Sequence, residues 1–308
     1  MNIRDLKYLI AVAETQHFGK AAQRCFVSQP TLSGQIKKLE EDLGVTIFER
    51  TNRSVKITAA GQDILQHAHL ILEQVDVIQQ LAQSYQDPVA GPLRIGAIPT
   101  ISPYLLPLIL KPLQQDYPKL KLVLSEEATD VLLQRLANHE IDAAILATDH
   151  PETDFESIPL FKEPFWLAHP LNHPLYTRDE ITQQDLEGLD ILLLPDNYCL
   201  AQQAMEVCHL RERQQHGEMA NLRASSLETL LQLVSAGYGC TLVPALAISG
   251  SWTTGRGIAT HELHLDNSWR KVSLFYRRSF PRFQALQALI TTILSHLPNT
   301  VKSLKTNQ

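Results

Sequence analysis

The sequence predicts an α/β protein built as a small helical head, one long helix and a larger body. Three observations carry this. Apolar residues recur every three to four positions through the first 44 residues, and a short alternating pair of segments follows. Heptad spacing then runs without a proline to about residue 86. From Leu93 onward, short apolar strands alternate with amphipathic helices.

In the head, Leu6, Leu9, Ile10 and Ala13 line one face of a first helix. Gly19 to Cys25 forms a short second helix, with Ala21 and Ala22 small enough for close packing. A third helix starts at Ser28, a good N-cap, and tolerates Pro30 in its first turn. Leu32, Ile36, Leu39 and Leu43 form its buried stripe, and Gly44 suits the C′ position. Residues 45–58 alternate around a polar turn, as a two-stranded wing does.

The long helix spans about Thr58 to Gln86. Ile64, Ala68, Ile71, Val75, Ile78 and Ala82 stand at a/d spacing. The row is either a seam between two subunits or one face packed on its own chain. The seam is favoured, because a head this small does not cover roughly 40 Å of helix. Asp87 to Pro92 reads as a hinge.

In the body, residues 93–97, 121–127, 141–146, 165–169, 190–194, 239–243 and 271–277 read as strands. Residues 103–116, 130–138, 226–236 and 281–297 read as helices, and the alternation predicts largely parallel sheets. The expected domains are 1–58, 59–87 and 88–308. The last divides into one subdomain of about 88–162 plus 269–308 and a second of about 163–268.

Composition bounds the function. The chain has 308 residues, 44% apolar and 19% charged, enough for two or three cored domains. A net charge of −6 argues against a general nucleic-acid coat, but the charge is unevenly placed. Residues 1–60 carry nine basic and six acidic side chains, and the body carries 18 and 24. A basic head on an acidic body fits a modular nucleic-acid binder. No apolar run reaches the ~18 residues of a membrane span. Ala11-Val12-Ala13 imitates a signal-peptidase site, but the run before it is short and contains Asp5, so no signal peptide is expected. Four cysteines make no disulfide scaffold, and a reducing cytoplasm is the default.

Two short helices followed by a basic strand pair make a winged helix-turn-helix, whose second helix enters the major groove. With Leu32 and Ile36 facing the core, Pro30, Thr31, Gly34, Lys37 and Lys38 face away. Ser28, Gln29, Thr31 and Ser33 lie at the groove-entering end, where Gln29 or Thr31 suit base edges. Lys37, Lys38 and the wing residues Arg50, Arg53 and Lys56 suit phosphates.

The stretch FGKAAQRCFVSQPTLSGQIKKLEEDLGVTIFERTNRSVKITAAG resembles the head of LysR-type transcriptional regulators, in FxxAA, VSQPxLSxQIxxLE, LGxxxFER and TxAG at their spacing. The resemblance extends over the whole chain. It implies a double-stranded DNA operator, RNA polymerase as a partner, and subunits paired through the long helix into dimers or tetramers. The body would be periplasmic-binding-protein-like, with an effector between two subdomains.

Cys25 and Cys240 read as packing. Cys199 and Cys208 flank LAQQAMEV, which has helical character. Nine helical residues rise about 13.5 Å and leave the two side chains on opposite faces. A disulfide needs Cα atoms within about 7 Å, so bridging them requires the helix to unwind. Spacing alone leaves two readings open: a covalent switch, or two unrelated buried cysteines.

Four stretches further resemble the hydrogen-peroxide-sensing members of the LysR family: LSGQIKKLE, IPTISPYLLP, LPDNYCLAQQAMEVC and RASSLETLLQLVSAGYGCTLVPALA. That resemblance implies a peroxidatic Cys199, a resolving Cys208, and a pocket of Thr100, Thr129 and Arg270. The two hydroxyls would hold peroxide or a placeholder water, and the arginine would favour thiolate. Two positions depart from those members, which carry histidines where this chain has Tyr198 and Asn221. The departure fits either a less activated thiol or another oxidant.

No cofactor or metal is expected. His67 and His69 diverge on a helix, His261 and His264 are one residue short of the HExxH spacing, and His169 and His173 sit in a loop. The expected function is a peroxide-responsive regulator of oxidative-stress genes, not an enzyme. Its rivals are a LysR-type regulator answering to a small metabolite in the cleft, and a two-cysteine thiol peroxidase.

Overall fold

The computed structural model describes residues 1–50, 55–84, 87–148, 155–210, 224–248 and 257–304. The chain divides into two units, Met1–Tyr85 and Gln86–Gln308.

The first unit runs α1 (Ile3–Thr15), α2 (Phe18–Arg24), α3 (Gln29–Leu43), β1 (Phe48–Arg50), β2 (Val55–Ile57) and α4 (Ala59–Ser84). Local chemistry sets each start. Asn2 and Asp5 form a capping box on α1, His17 Nδ1 accepts from the Gly19 and Lys20 amides, and Ser28 Oγ accepts from the Thr31 amide at 3.3 Å. Gly44, at φ 70°, ends α3 in the left-handed conformation that glycine adopts without strain. Leu6, Leu9, Leu32, Ile36 and Leu39 form the head core. Glu40 Oε1 accepts from the Ile47 and Phe48 amides at 2.9 and 3.0 Å, which fastens the wing to α3. The TxAG stretch has a physical cause: Thr58 Oγ1 accepts the Gly61 amide at 2.9 Å, and a Cβ on Gly61 would lie 2.5 Å from the Ile47 carbonyl.

The expected seam on α4 is only partly open. Ala68 is buried in the head core and Ile64 packs half-buried against it, because α1 lies on the first turns of α4. Both positions therefore serve the head itself. Farther along, Ile71 and Ile78 are 42% and 65% exposed, Ala82 is exposed and Val75 is half-buried.

The second unit is mixed rather than largely parallel. β3 (Gly91–Ala97) pairs parallel with β4 (Leu120–Glu126) and β5 (Ala143–Leu146). β9 (Trp269–Arg277) joins β5 and β6 (Phe155–Pro170) antiparallel. β6 also pairs antiparallel with β7 (Thr241–Pro244), β8 (Ile258–Glu262) and β10 (Lys302–Ser303). Alternation of strands and helices does not fix strand direction, and here a returning strand, β9, enters between β5 and β6. Residues 190–194 form no extended strand and carry only bridge residues, Ile191, which pairs parallel with Cys240, and Leu193. The helices are α5 (Ser102–Asp116), α6 (Thr129–Ala137), α7 (Gln183–Glu187), α8 (Cys199–Val207), α9 (Leu227–Ser235), α10 (Ala245–Ile248) and α11 (Phe283–Ser295).

Two apolar cores result. Leu93, Leu105, Leu132, Phe161, Leu274 and Leu289 belong to the first, and Phe165, Leu167, Leu200, Val207, Leu230 and Leu242 to the second. The sixteen-residue β6 runs from one to the other, with Phe161 in the first core and Phe165 in the second. Ala245 and Leu246, expected with the second subdomain, pack in the first core.

Candidate redox site and nucleic-acid interface

Cys199 is the first residue of α8 and Cys208 is its C-cap, so one helix fills the whole interval between them. Neither is in a disulfide, and both are buried. Cys199 packs with the first core, while Cys208 is fully enclosed in the second. The helix thus holds its two sulfurs in different hydrophobic environments, at opposite ends of about 13.5 Å of rise.

The crossing point of β6 builds the polar side of the Cys199 pocket. Glu163 and Arg270 stand opposite each other in the β6–β9 register. Arg270 Nε donates to Glu163 Oε2 at 2.8 Å, and both side chains are fully buried. Arg270 also donates from Nη1 to Thr100 Oγ1 at 2.9 Å and from Nη2 to the Thr100 carbonyl at 3.0 Å. Glu163 Oε1 accepts the Leu246 amide at 2.8 Å. Arg270 and Thr129 are buried near enough to Cys199 to act on its thiol, and Thr100 is buried against Arg270. The Thr129 hydroxyl is near enough to lower the Cys199 pKa, yet it lacks an aligned hydrogen-bond partner among the described residues. A cavity of about 510 Å³ opens beside the thiol, lined by Cys199, Thr148, Gln203, His209, Trp269 and Arg270 among others.

Burial pushes the Cys199 thiol above its ordinary 9.0. Arg270 is the largest opposing influence, followed by the amides at the helix start and the Thr129 hydroxyl. Burial outweighs these influences, and the arginine's charge is itself paired with Glu163. Cys240 is pushed up to about 12 by burial, helped by Asp190 and Cys208, and is an inert thiol at neutral pH.

One sequence expectation for the pocket changes. The Tyr198 hydroxyl is committed elsewhere: it donates to the Ser225 carbonyl at 3.0 Å while its ring packs on the second core. A phenol is longer than an imidazole, so its oxygen reaches past the thiol's surroundings to the chain before α9. Asn221 lies outside the described residues. Sequence reasoning missed Glu163, the buried partner that orients Arg270. It also missed Gln203, which pins α8 to the Ala147 carbonyl at 2.7 Å. A signal for Gln203 existed, since it stands four residues after Cys199 on the same helix face. None existed for Glu163, whose role depends on strand register. The histidines also surprise: β8 stacks His261 on the buried His169 at 5.0 Å, with His173 at 5.4 Å. No group among the described residues has the geometry to hold a metal ion.

In the head, Ser28, Gln29, Pro30, Thr31, Gly34, Lys37 and Lys38 are exposed along α3, and Ser33 is half-buried. A Cβ on Gly34 would meet nothing within 4 Å, so the chain's own packing does not demand glycine there. Ser28 Oγ and Thr31 Oγ1 are 2.7 Å apart, and Lys37 pairs with Glu41 at 3.7 Å. Phe26, in the turn before α3, is 96% exposed at φ 54°, which nothing in the sequence pattern announced. Arg50 lies on β1 and Lys56 is exposed on β2, while the side chain of Arg50 and all of Arg53 lie outside the described residues.

Residues 3–62 match the profile of the bacterial regulatory helix-turn-helix protein, lysR family, and residues 86–298 match the LysR substrate binding domain. The chain belongs to the LysR family of transcriptional regulators. Within that family it groups with OxyR-type members. It is 41% identical over 304 residues to a hydrogen peroxide-inducible genes activator of Pectobacterium carotovorum, covering 99% of each chain. A full-length OxyR cysteine-to-aspartate variant from Pseudomonas aeruginosa superposes with a TM-score of 0.79 at 35% identity, covering 100% of this chain and 99% of that one. An H2O2-bound OxyR cysteine variant from Corynebacterium glutamicum superposes at 0.65 and 34% identity, covering 96% and 92%. The matched head covers the capped α3 with its exposed polar face, and the matched body covers α8 and the cavity alongside it.

Proposed function

We propose that this LysR-type regulator senses hydrogen peroxide through a reversible Cys199–Cys208 disulfide and so controls transcription of peroxide-inducible genes. The observation that carries the reading is α8 itself. It seats two buried cysteines, both outside any disulfide, at its two ends, one of them beside Arg270 and Thr129. The Cys199 thiolate attacks one peroxide oxygen, the O–O bond breaks, and the departing hydroxide takes a proton to leave as water. The Cys208 thiolate then attacks the sulfenic sulfur and expels the second hydroxide. Because the disulfide and the helix are incompatible, the second step refolds residues 199–208.

The refolding is read out through DNA. Two or four copies, paired through the exposed distal half of α4, place their heads on a double-stranded operator, and RNA polymerase is the downstream partner. A cytoplasmic location supplies the reductants that reset the switch, and the chain acts as a regulator rather than a turnover catalyst. The cavity of about 510 Å³ favours a second reading, a small metabolite bound next to Arg270 with the cysteines incidental. Mass spectrometry after stoichiometric peroxide separates the readings. The expected product joins Cys199 to Cys208 and leaves Cys25 and Cys240 reduced, and Cys208→Ser traps sulfenic acid on Cys199. A bridge that is absent, or that contains Cys240, refutes the proposal. Sustained peroxide consumption with excess reductant would instead identify a thiol peroxidase.

A further inference from the structure

The structure assigns Tyr198 a positioning role in the second redox step: its hydroxyl tethers the start of α8 to the chain leading into α9 and holds the helix against closure of the disulfide. The inference rests on the proposed Cys199–Cys208 switch. Tyr198 is the N-cap of α8, immediately before Cys199, yet its side chain caps nothing. The backbone there is extended, at φ −95° and ψ 126°, and the ring is half-buried on the second core. The phenol O–H donates to the Ser225 carbonyl at 3.0 Å. Ser225 is itself fixed, because the next residue, Ser226, caps α9 by accepting the Thr229 amide at 3.2 Å.

The consequence follows from where the strain of oxidation falls. Cys199 must leave the first core and approach Cys208, which is enclosed in the second. Whatever route it takes, the first turn of α8 has to come apart, and that turn begins at the tethered residue. Two further side chains pin the same helix, Gln203 to the Ala147 carbonyl at 2.7 Å and Gln183 to the Val207 carbonyl at 3.1 Å. Of these three pins, the tyrosine alone sits at the reacting cysteine's own end and points away from the peroxide pocket. It therefore bears on refolding and not on the attack of the thiolate on peroxide.

Tyr198→Phe keeps the ring in its core and removes only the hydroxyl, so it isolates the tether. A neutral hydrogen bond contributes on the order of 1 kcal/mol, about a fivefold effect. In a Cys208→Ser background, Tyr198→Phe is expected to leave the rate of sulfenic acid formation unchanged. With both cysteines present, it is expected to speed disulfide closure about fivefold. It should also make the reduction potential more negative by about 20 mV, since a tenfold change in a two-electron equilibrium is about 30 mV. A general loss of packing would lower thermal stability without separating the two steps in this way. If the parent chain forms the disulfide and Tyr198→Phe changes neither closure nor potential, the tether is wrong and the switch stands. If sulfenic acid formation slows instead, Tyr198 belongs to the peroxide chemistry and the inference is overturned. If the parent chain forms no disulfide, the switch itself fails and the inference falls with it.

Discussion

Replacing Arg270 tests two roles at once, and the structure shows how to separate them. Its side chain and that of Glu163 are both fully buried and 2.8 Å apart. Arg270→Met leaves the Glu163 carboxylate with the Leu246 amide and no cation. Breaking one member of a buried pair costs about 3–5 kcal/mol. That is about a fifth or more of a typical domain's stability, and for a unit of this size it lowers the unfolding midpoint by roughly 6–20 °C. A slow variant could then be slow merely because its pocket has come apart. Glu163→Gln with Arg270→Met resolves this, because glutamine still accepts the Leu246 amide while the uncompensated charge is gone. The double variant is expected to recover most of the lost stability in urea or thermal unfolding. It should not recover reactivity. Arg270 is the largest influence lowering the Cys199 pKa, and each pKa unit regained is a tenfold loss of thiolate at fixed pH below the pKa. Stopped-flow oxidation in the Cys208→Ser background should therefore show both variants at least about tenfold slower than the parent. A stable double variant that oxidises at the parental rate would refute an electrostatic role for Arg270.

Two further outcomes follow from the same residues. Since burial raises the Cys199 pKa above 9.0, the thiolate fraction is expected to climb about tenfold per pH unit between pH 6 and 8. The log of the oxidation rate should then rise with unit slope, and a plateau near pH 6 would contradict it. The same shift means that the stability it contributes is complete below the unfolded thiol's pKa and is lost as pH rises through the folded value. On DNA, Lys37→Ala should weaken cognate and scrambled duplexes alike and flatten the log–log salt dependence by about 0.9 for each phosphate left unneutralised. Gln29→Ala or Thr31→Ala should cost about 1–3 kcal/mol on the cognate site alone, and anisotropy titrations showing the reverse pattern would misplace the groove-facing surface.

The head was legible in the sequence almost to the residue, because its determinants are local. Ser28, Gly44 and the Leu32–Ile36–Leu39 stripe act within one helix, and helical periodicity displays them directly. The seam on α4 was legible only as a row of positions. Heptad spacing does not say which members a neighbouring helix of the same chain covers, and α1 covers Ile64 and Ala68. Strand direction in the body was misjudged for a similar reason. The antiparallel entry of β9 between β5 and β6 is a pairing between segments more than a hundred residues apart, with no periodic trace. Glu163 was invisible on the same ground, since its meaning comes from standing opposite Arg270. The cysteines were legible as a geometric conflict, and the LysR-family resemblance gave them roles. What spacing could not supply was their division between two cores.

Under the proposed switch, that division turns a local bond change into a change in the whole body. A disulfide within one core would exchange one packed arrangement for another and leave the second core untouched. Here α8 carries Leu200, Ala201, Ala204 and Val207 in the second core, while its first residue, Cys199, packs with the first. Gln203 adds a polar link from the middle of the helix to the end of β5, in the first core's sheet. Drawing Cys199 toward Cys208 therefore removes a side chain from one core, unwinds a helix of the other and strains the link between them in a single event. Close-packed cores do not deform by small degrees, so such an event moves the body between discrete states. A partner subunit or an operator can read a discrete state, which is what a regulator requires of its sensor.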